Sequence, residues 1–489
     1  MRKRGPLMAL PSAAALLFLL AGLETFSQSL PAVDSLRRID AVFADWDKTS
    51  TPGMNLAVVK EGGILYTRSY GMASLELDVP NKPETVFDIG SISKQFTAAA
   101  IRILEYRGLL KLDDDIRTYI PQMPRYERPV TIRHLIHHTS GIRDYEALQS
   151  LAGEHSDQGW HTNRDLLELL ARQKGLDFPP GTKYQYSNSG YTLLAVIVER
   201  ITGQSLGTFV KDNIFIPLGM SRTFILESNR IVVKNRARGY SLGDGLFVLD
   251  ETLNESTGDG AVQTTVEDFA LWDRNFYENR LVVPDFTTRM EEVGKLADGR
   301  PASLPAVGRP GLYAFGLVLS TYRGLRTVGH SGAYVGFRAG YLRFPDQKLS
   351  IIICANIADI NPTELCLRVA DVVLENEFKE PLLMETAPES RPGSSSASTA
   401  ALTAAALEAY AGGYFNDELP AAYELRVRGG SLYFVHKNAG STDPLRREGD
   451  DLFSIGRIRI KFRRDNRGII LGFAIDSDQA KGLSFRKVR

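Results

Sequence analysis

The chain has 489 residues, of which 43% are hydrophobic and 24% charged, an ordinary composition for a globular protein. Lys plus Arg and Asp plus Glu both number 58, so the formal charge is zero at pH 7. A neutral chain gives no electrostatic basis for binding nucleic acid or an anionic membrane surface. The length suits about three domains, or one large α/β enzyme domain with an accessory module.

Residues 1–27 predict a signal peptide. A basic start, Arg2 to Arg4, precedes an apolar run from about Leu7 to Leu23, and small or polar residues follow. The alternative is an uncleaved membrane anchor, but the run is short for a membrane span and contains Pro11. We therefore expect a secreted or periplasmic protein.

Residues 28–385 predict a first domain with strands at both ends. GMNLAVVKEGGILYTRSYG predicts two strands around a tight turn at Glu61-Gly62-Gly63. Helical periodicity dominates from Ser91 to about Val210, strands return from Tyr313 to Ile357, and a helix follows at about Pro362 to Phe378. This order predicts the α/β (α+β) class, with one antiparallel sheet built from both ends of the domain, flanking helices and a helical subdomain.

The remaining residues predict a linker and a small β module. Residues 386–405 are rich in Pro, Ser and Ala and have no packing pattern, which is typical of a linker. Short alternating segments in residues 406–489 predict a small antiparallel barrel or sandwich. Cys354 lies in a strand-like run and Cys366 in a predicted helix; the two either pair or remain buried thiols, and they form no CxxC metal pattern.

The first candidate catalytic element is DIGSISKQF, where Ser91 starts a predicted helix and Lys94 lies one turn further on the same face. A lysine whose pKa is lowered by burial can take the hydroxyl proton of a serine, and a helix N-terminus stabilises a developing oxyanion. The alternative is that Ser91 only caps the helix. The pattern is weak alone, because SFRK at Ser484 to Lys487 matches it in a predicted strand, where the two side chains point to opposite faces.

Two further polar elements follow. PPGTKYQYSNSGYTLL places Tyr186 and Asn188 in a loop before an apolar helix, where a phenol can relay a proton and an amide can bond both the lysine and a substrate carbonyl. TVGHSGAYVGF places His330, Ser331 and Gly332 at the end of a strand, where glycine lets a substrate approach the backbone. The alternatives are that Tyr186 packs, that Asn188 caps the helix, and that His330 is an ordinary half-buried strand residue.

Ser-x-x-Lys, Tyr-x-Asn and His-x-Gly occur in the order that serine β-lactamases and penicillin-binding proteins use. With tyrosine in the second element, the chain resembles the class C β-lactamase-like serine hydrolases, a family that includes DD-peptidases, D-aminopeptidases and esterases. The stretches VTIRHLIHHTSGI, IFIPLGMSRT and GDGAVQTTVEDFALW add to this resemblance, which covers about Leu36 to Lys379. The distal module resembles the lipocalin-like modules that often follow such domains.

The resemblance implies a role for each residue of the three elements. It implies that Ser91 is acylated, that Lys94 and Tyr186 transfer protons, and that the backbone N–H groups of Ser91 and Ala333 form the oxyanion hole. It implies no cofactor. The residues that it implies for substrate and oxyanion binding are Asn188, His330, Ser331, Gly332 and Ala333.

The third element departs from the Lys-Thr-Gly usual in class C β-lactamases. Lysine is a fixed positive charge that suits a substrate carboxylate, whereas histidine is mostly neutral at pH 7. In the family, His-x-Gly goes with peptidases and aminopeptidases that act on D-residues, among others. We therefore expect an amide or ester substrate of D-amino-acid or peptidoglycan-like character. A promiscuous esterase, a weak β-lactamase and a catalytically silent penicillin-binding sensor are the alternatives.

Other polar residues can also be interpreted as structural. Arg338 either contacts a substrate carboxylate or is an exposed strand arginine. His134, His137 and His138 have a spacing that suits zinc, but no carboxylate motif of a zinc protease accompanies them, and we expect no metal. Asp113-Asp114-Asp115 suits a solvated turn rather than a calcium loop. The expected partner is a small-molecule or peptide substrate, not nucleic acid; cell-wall contact by the distal module and the oligomeric state stay open.

Overall fold

The computed structural model describes residues 33–154, 159–281, 283–304, 311–382, 402–419, 421–436 and 440–488. The predicted signal peptide, residues 1–27, and most of the predicted linker, residues 386–405, lie outside these residues. A short helix has already begun at Ala404, within the last residues of that linker.

Helices fill the chain between the first and last strands of the main sheet, as their periodicity predicts. Several begin at a residue whose side chain accepts from the first turn, such as Thr131, Asp144 and Thr265. The α-helices of the described residues are α1 (Val33–Phe43), α2 (Lys94–Tyr106), α3 (Ile132–Ile136), α4 (Tyr145–Ala152), α5 (Asn163–Ala171), α6 (Asn188–Thr202), α7 (Leu206–Val210), α8 (Ile216–Leu218), α9 (Val266–Glu278), α10 (Phe286–Met290), α11 (Pro362–Val373) and α12 (Ala404–Glu408).

The main sheet has seven antiparallel strands in the spatial order β10-β11-β12-β13-β14-β1-β2. Its first strand in the chain pairs with its last, which confirms a sheet built from both ends of the domain. The strands up to this point of the chain are β1 (Met54–Lys60), β2 (Gly63–Tyr70), β3 (Met72–Ser74), β4 (Val79–Pro80), β5 (Phe87–Asp88), β6 (Phe224–Ile225), β7 (Tyr240–Gly243), β8 (Leu246–Leu249), β9 (Val262–Thr264), β10 (Leu312–Tyr313), β11 (Val318–Tyr322), β12 (Leu325–Tyr334), β13 (Phe337–Phe344) and β14 (Leu349–Ala355).

Helices cover both faces of the main sheet. α9 packs against β1 and β14, while α11 packs against β13 and β14 and is itself contacted by α1. Consequently β1 and β14 are apolar along nearly their whole length, as strands covered on both faces require. The buried Trp272 of α9 joins this core to α2 through Phe96, with ring centroids 4.6 Å apart. The thiols of Cys354 and Cys366 are free and buried in the same region, so the pairing considered from the sequence is not formed.

Strand β12 passes against the turn that precedes α2. A Cβ atom on Gly332 would lie 1.9 Å from the carbonyl oxygen of Ile89, and one on Gly90 would lie 2.8 Å from the backbone N of Ala333. Gly90 also has a φ of 48°, a conformation that other residues rarely adopt. Both glycines are therefore required where the end of β12 comes beside Ser91.

The distal module is a nine-stranded antiparallel sheet in the order β18-β17-β16-β15-β23-β22-β21-β20-β19. Its two edge strands follow each other in the chain, so the sheet curls until its edges almost meet, and the predicted barrel is confirmed. Phe473 lies at the centre of an aromatic core with Tyr414, Phe462 and Phe485. The strands are β15 (Gly412–Phe415), β16 (Ala422–Arg428), β17 (Ser431–His436), β18 (Gly440–Pro444), β19 (Arg446–Gly449), β20 (Leu452–Ile455), β21 (Ile458–Arg464), β22 (Ile470–Asp476) and β23 (Leu483–Val488).

The structure also bears on the second Ser-x-x-Lys match and on membrane-spanning helices. SFRK at Ser484 to Lys487 lies in β23, as the strand interpretation of that second match predicts. Within the described residues, no single helix has the length and apolar character to cross a membrane; α6 followed by the segment Leu206–Leu218 has them only as a pair, bent by 76°.

Replacing Gly332 with alanine tests the contact between β12 and the turn before α2. Because the added methyl would collide with a backbone carbonyl, we expect Gly332→Ala to lower the free energy of unfolding by about 1–3 kcal/mol, as overpacked sites do. Urea denaturation measures the change. Gly413→Ala, in a strand where a Cβ meets nothing within 4 Å, is the matched control and is expected to unfold like the unsubstituted protein. Equal stability of the two variants would contradict the close approach.

Candidate active site

Ser91 and Lys94 meet across one helical turn. Ser91 lies in the 3₁₀ turn Gly90–Ser93, and Lys94 is the first residue of α2, so the three-residue spacing brings the two side chains together. Lys94 Nζ donates to Ser91 Oγ over 3.0 Å. The hydroxyl thus contacts an amine, which is the geometry of an activated nucleophile rather than of a helix cap.

The amine of Lys94 is completely buried and fully hydrogen-bonded. Besides Ser91, its Nζ donates to Asn188 Oδ1 and to the carbonyl oxygen of Asp259, both over 2.8 Å. Burial lowers the pKa of Lys94 to about 8, against the opposing effect of the carboxylates of Asp259, Glu146 and Asp144. A substantial fraction of the amine is therefore neutral in mildly alkaline solution and able to accept a proton.

The turn around Asp259 is fixed on α2 and α6. Thr97 Oγ1 of α2 donates to the carbonyl oxygen of Gly258 over 2.7 Å. The buried carboxylate of Asp259 accepts from Tyr145 Oη over 2.8 Å and from Thr192 Oγ1 over 3.3 Å. These bonds aim the Asp259 carbonyl at Lys94.

Tyr186 places its ring beside the same amine. Lys94 Nζ lies 4.9 Å from the ring centroid of Tyr186, within range of a cation–π contact. The Oη atom of Tyr186 is buried and makes no hydrogen bond of normal geometry with the described residues. Burial raises the pKa of this phenol well above its ordinary value, although the nearby hydroxyl of Ser91 acts in the opposite direction. The phenol is thus protonated at neutral pH and suits a proton donor or relay rather than a phenolate base.

The segment before α4 holds the Tyr186 loop. His138 Nδ1 accepts from Ser187 N over 3.1 Å, and the His138 carbonyl accepts from Gln185 N over 2.9 Å. Asp144 Oδ2 accepts from Asn188 N over 2.5 Å. Burial raises the pKa of Asp144 to about 6, although these backbone donors favour its ionised form. The chain that follows His138 therefore fixes the loop that carries Tyr186 and Asn188.

The three histidines considered for zinc have separate structural contacts. His134 Nδ1 accepts from Thr131 N in a capping box, and the ring nitrogens of His137 lie near the carbonyls of Arg133 and Glu292. Within the described residues, no group of three His, Cys, Asp or Glu side chains has the arrangement of a metal site.

The His-Ser-Gly element is only partly at the cleft. The ring of His330 lies 6.2 Å from that of Tyr186, and burial lowers the pKa of His330 to about 4, which leaves the imidazole neutral at pH 7. Ala333 lines the cleft beside Ser91, whereas His330 and Ser331 line a separate, more apolar cavity. Arg338 donates to nearby backbone carbonyls and is not among the residues lining the cleft.

The cleft contains charged residues that the motifs do not include. Three carboxylates, Asp88, Glu146 and Asp259, line it together with Arg236. Glu146 is half-buried, and burial together with the carboxylates of Asp144 and Asp259 raises its pKa to about 8. Asp144 and Glu146 lie three and five residues after the His-Thr-Ser-Gly stretch, and Asp259 lies in a Gly-Asp-Gly turn. Their place near these motifs was the only signal for them in the sequence.

The family model described as Beta-lactamase matches residues 39–371, more than half of the chain. The chain belongs to the beta-lactamase family. Penicillin-binding protein 4* of Bacillus subtilis is 31% identical over 345 residues, which cover 64% of this chain and 70% of that protein. The D-aminopeptidase of Gluconobacter oxydans is 30% identical over 62% of this chain and 56% of its own length. The D-aminopeptidase of Brucella anthropi is 27% identical over 90% of this chain and 96% of its own length.

Solved structures share the fold. The octameric penicillin-binding protein homologue from Pyrococcus abyssi has a TM-score of 0.62 and 23% identity, covering 93% of this chain and 99% of that chain. The D-amino acid amidase from Ochrobactrum anthropi SV3 has a TM-score of 0.58 and 22% identity, covering 70% of this chain and 99% of that chain. These structures confirm the predicted fold, and the family match with its curated relatives confirms the predicted serine hydrolase class.

We expect the pKa of Lys94 to depend on Glu146. An ionised carboxylate nearby favours the ammonium, so Glu146→Gln should lower the pKa of Lys94 below about 8. An NMR titration of protein labelled with ¹⁵N-lysine, with the Nζ resonance assigned by its loss in Lys94→Met, measures the shift. Glu168→Gln, at an exposed position of α5, is the control. An unchanged or higher pKa in Glu146→Gln would contradict this electrostatic account.

Proposed function

We propose that the protein is a serine hydrolase that cleaves amides through an acyl-enzyme at Ser91, with D-amino-acid amides bearing a free amino group as its preferred substrates. The observation that carries this proposal is the buried amine of Lys94, hydrogen-bonded to Ser91 and Asn188 at the floor of an acid-lined cleft. The N-terminal basic and apolar run supports export of the protein as part of the same proposal.

In the acylation step, neutral Lys94 takes the proton of Ser91 as Oγ bonds to the substrate carbonyl carbon. The backbone N–H groups of Ser91 and Ala333 hold the oxyanion, and the side-chain amide of Asn188 orients the acyl group. Tyr186 donates its proton to the leaving amine when the C–N bond breaks, and the Lys94 ammonium then reprotonates the phenolate. Water releases the acyl group by the reverse transfers.

The charge of the cleft supports a substrate with a free ammonium. Three carboxyl groups and one arginine line the cleft, and a neutral His330, 6.2 Å from the ring of Tyr186, stands in place of the lysine that would attract a substrate carboxylate. Glu146 has no ion-pair partner among the described residues, and its pKa of about 8 leaves the carboxyl group largely protonated at pH 7. A substrate ammonium bound beside it would lower that pKa and pair with the ionised carboxylate, and we assign Glu146 this role. The D-aminopeptidases among the relatives bear names that agree with this assignment.

Covalent labelling tests the nucleophile. We expect a fluorophosphonate to add once to the unsubstituted protein, with the adduct on Ser91 by peptide mass spectrometry. Ser91→Ala should form no adduct and should lose at least about a thousandfold of its amidase activity, as enzymes without their nucleophile do. Ser93→Ala, in the same turn, controls for general disturbance of the turn. Equal labelling of Ser91→Ala would contradict the mechanism.

A substrate panel tests the specificity. We expect kcat/KM to be higher for D-alanine p-nitroanilide than for its N-acetyl derivative or its L-enantiomer. We expect lower kcat/KM values for p-nitrophenyl esters and for nitrocefin. Glu146→Gln should raise KM for the free amine about tenfold, because an ion pair is replaced by a neutral contact, and should leave KM for the N-acetyl derivative almost unchanged. Efficient turnover of nitrocefin with inert D-amides would contradict the assignment.

A further inference from the structure

The barrel reaches the back of the active site through the turn between β22 and β23. In this turn, Gln479 Nε2 donates to the carbonyl oxygen of Tyr186 over 2.8 Å. The carbonyl oxygen of the same Gln479 accepts from Asp144 N over 2.9 Å. One barrel residue thus bonds both the loop that carries the phenol and the segment that holds that loop.

The two hydrogen bonds of Gln479 lie close to the catalytic side chains in the hydrogen-bond network. Tyr186 Oη makes no hydrogen bond of normal geometry among the described residues, although the Ser91 hydroxyl lies near it, so the place of the phenol depends mainly on its backbone and on ring contacts, such as the one with His138 at 4.2 Å. Asp144 accepts from Asn188 N, and Asn188 in turn accepts from Lys94. Gln479 therefore supports the main chain on both sides of the Tyr-x-Asn element.

Hydrogen bonds within the turn and to the first domain hold Gln479 in place. Ser477 N donates to the carbonyl of Ala480 over 2.9 Å, and Gly482 N donates to Asp476 Oδ1 over 2.7 Å. The backbone N–H and the backbone carbonyl of Lys481 both form hydrogen bonds with the first domain. Its N donates to Asp177 Oδ1 over 2.7 Å, and its carbonyl accepts from Arg143 Nε over 3.0 Å.

Docking of the barrel has a second, stronger anchor away from Gln479. The buried Arg143 donates to the buried Glu418 Oε2 over 2.7 Å, and Lys174 N donates to the same oxygen over 2.7 Å. Gln173 Nε2 donates to the carbonyl oxygen of Glu418 over 2.9 Å. Removing one side-chain bond of Gln479 thus leaves the barrel docked, while loss of the Glu418 charge weakens the docking itself.

We propose that Gln479 is a positioning residue of the active site, which holds the Tyr186 loop where the phenol faces Ser91. The barrel is then part of the catalytic machinery and not only an appended module. This inference rests on the proposed function, since it assigns Gln479 a role in acylation of Ser91.

Four variants of the full-length protein separate positioning from stability. Gln479→Met keeps the length and removes the donor, and Gln479→Lys supplies a donor of similar reach. Asp478→Ala changes an exposed neighbour whose ion pair, with Arg457, is also exposed. Glu418→Gln weakens the docking contact. The measurements are the maximal rate and concentration dependence of Ser91 labelling by a fluorophosphonate, and the thermal midpoint.

We expect Gln479→Met to lower the maximal labelling rate about five- to tenfold, with less than a twofold change in the half-saturating concentration and an unchanged thermal midpoint. Gln479→Lys should recover the rate to within about twofold, and Asp478→Ala should match the unsubstituted protein. Glu418→Gln should lower the thermal midpoint. In protein with 3-fluorotyrosine at position 186, the ¹⁹F resonance should shift in Gln479→Met and return in Gln479→Lys.

Unchanged labelling and an unchanged ¹⁹F resonance in Gln479→Met would overturn the positioning role. So would a rate loss that only accompanies a lower thermal midpoint and that Gln479→Lys does not recover. Absence of a Ser91 adduct on the unsubstituted protein contradicts the proposed function instead, and the ¹⁹F comparison then decides alone whether Gln479 places the phenol.

Discussion

The structure of the site depends on one constraint, the removal of the Lys94 ammonium from water. An ion of this kind is costly to bury unless every donor is satisfied, and here a serine, an asparagine and a backbone carbonyl accept hydrogen bonds from its three N–H groups. Those acceptors come from the turn before α2, from α6 and from the Gly-Asp-Gly turn, so three distant parts of the chain must converge for the amine to be buried. The same burial brings the pKa of the amine to about 8, which joins the stability of the site to its reactivity.

The surrounding carboxylates set the balance of this arrangement. Asp144, Glu146 and Asp259 favour the ammonium, whereas the lack of water favours the neutral amine. The carboxylates are themselves crowded, and the pKa values of Asp144 and Glu146 rise as a result of burial and mutual repulsion. Lys94, Asp144 and Glu146 therefore have similar proton affinities, with pKa values between about 6 and about 8.

The sequence was sufficient to predict one sheet built from both ends of the first domain and the residues nearest to the nucleophile. Ser-x-x-Lys and Tyr-x-Asn depend on local spacing and residue chemistry, which a sequence displays directly, and the structure brings those four side chains together. His330 and Ser331, in contrast, were expected at the cleft and line a different cavity, whereas Ala333 of the same strand lines the cleft. The carbonyl of Asp259 and the amide of Gln479 were not foreseen, since contacts to main-chain atoms over long separations leave no residue-type pattern.

The separation of Gln479 from Tyr186 along the chain is 293 residues, and this distance has a consequence for biosynthesis. Domains fold in the order in which the ribosome produces them, so the first domain acquires its nucleophile, its lysine and its phenol before the barrel exists. A nascent chain at that stage holds every motif of the family and still lacks the support for the Tyr186 loop. If Gln479 positions the phenol as proposed, full reactivity appears only after β22 and β23 have been translated, folded and docked against the first domain.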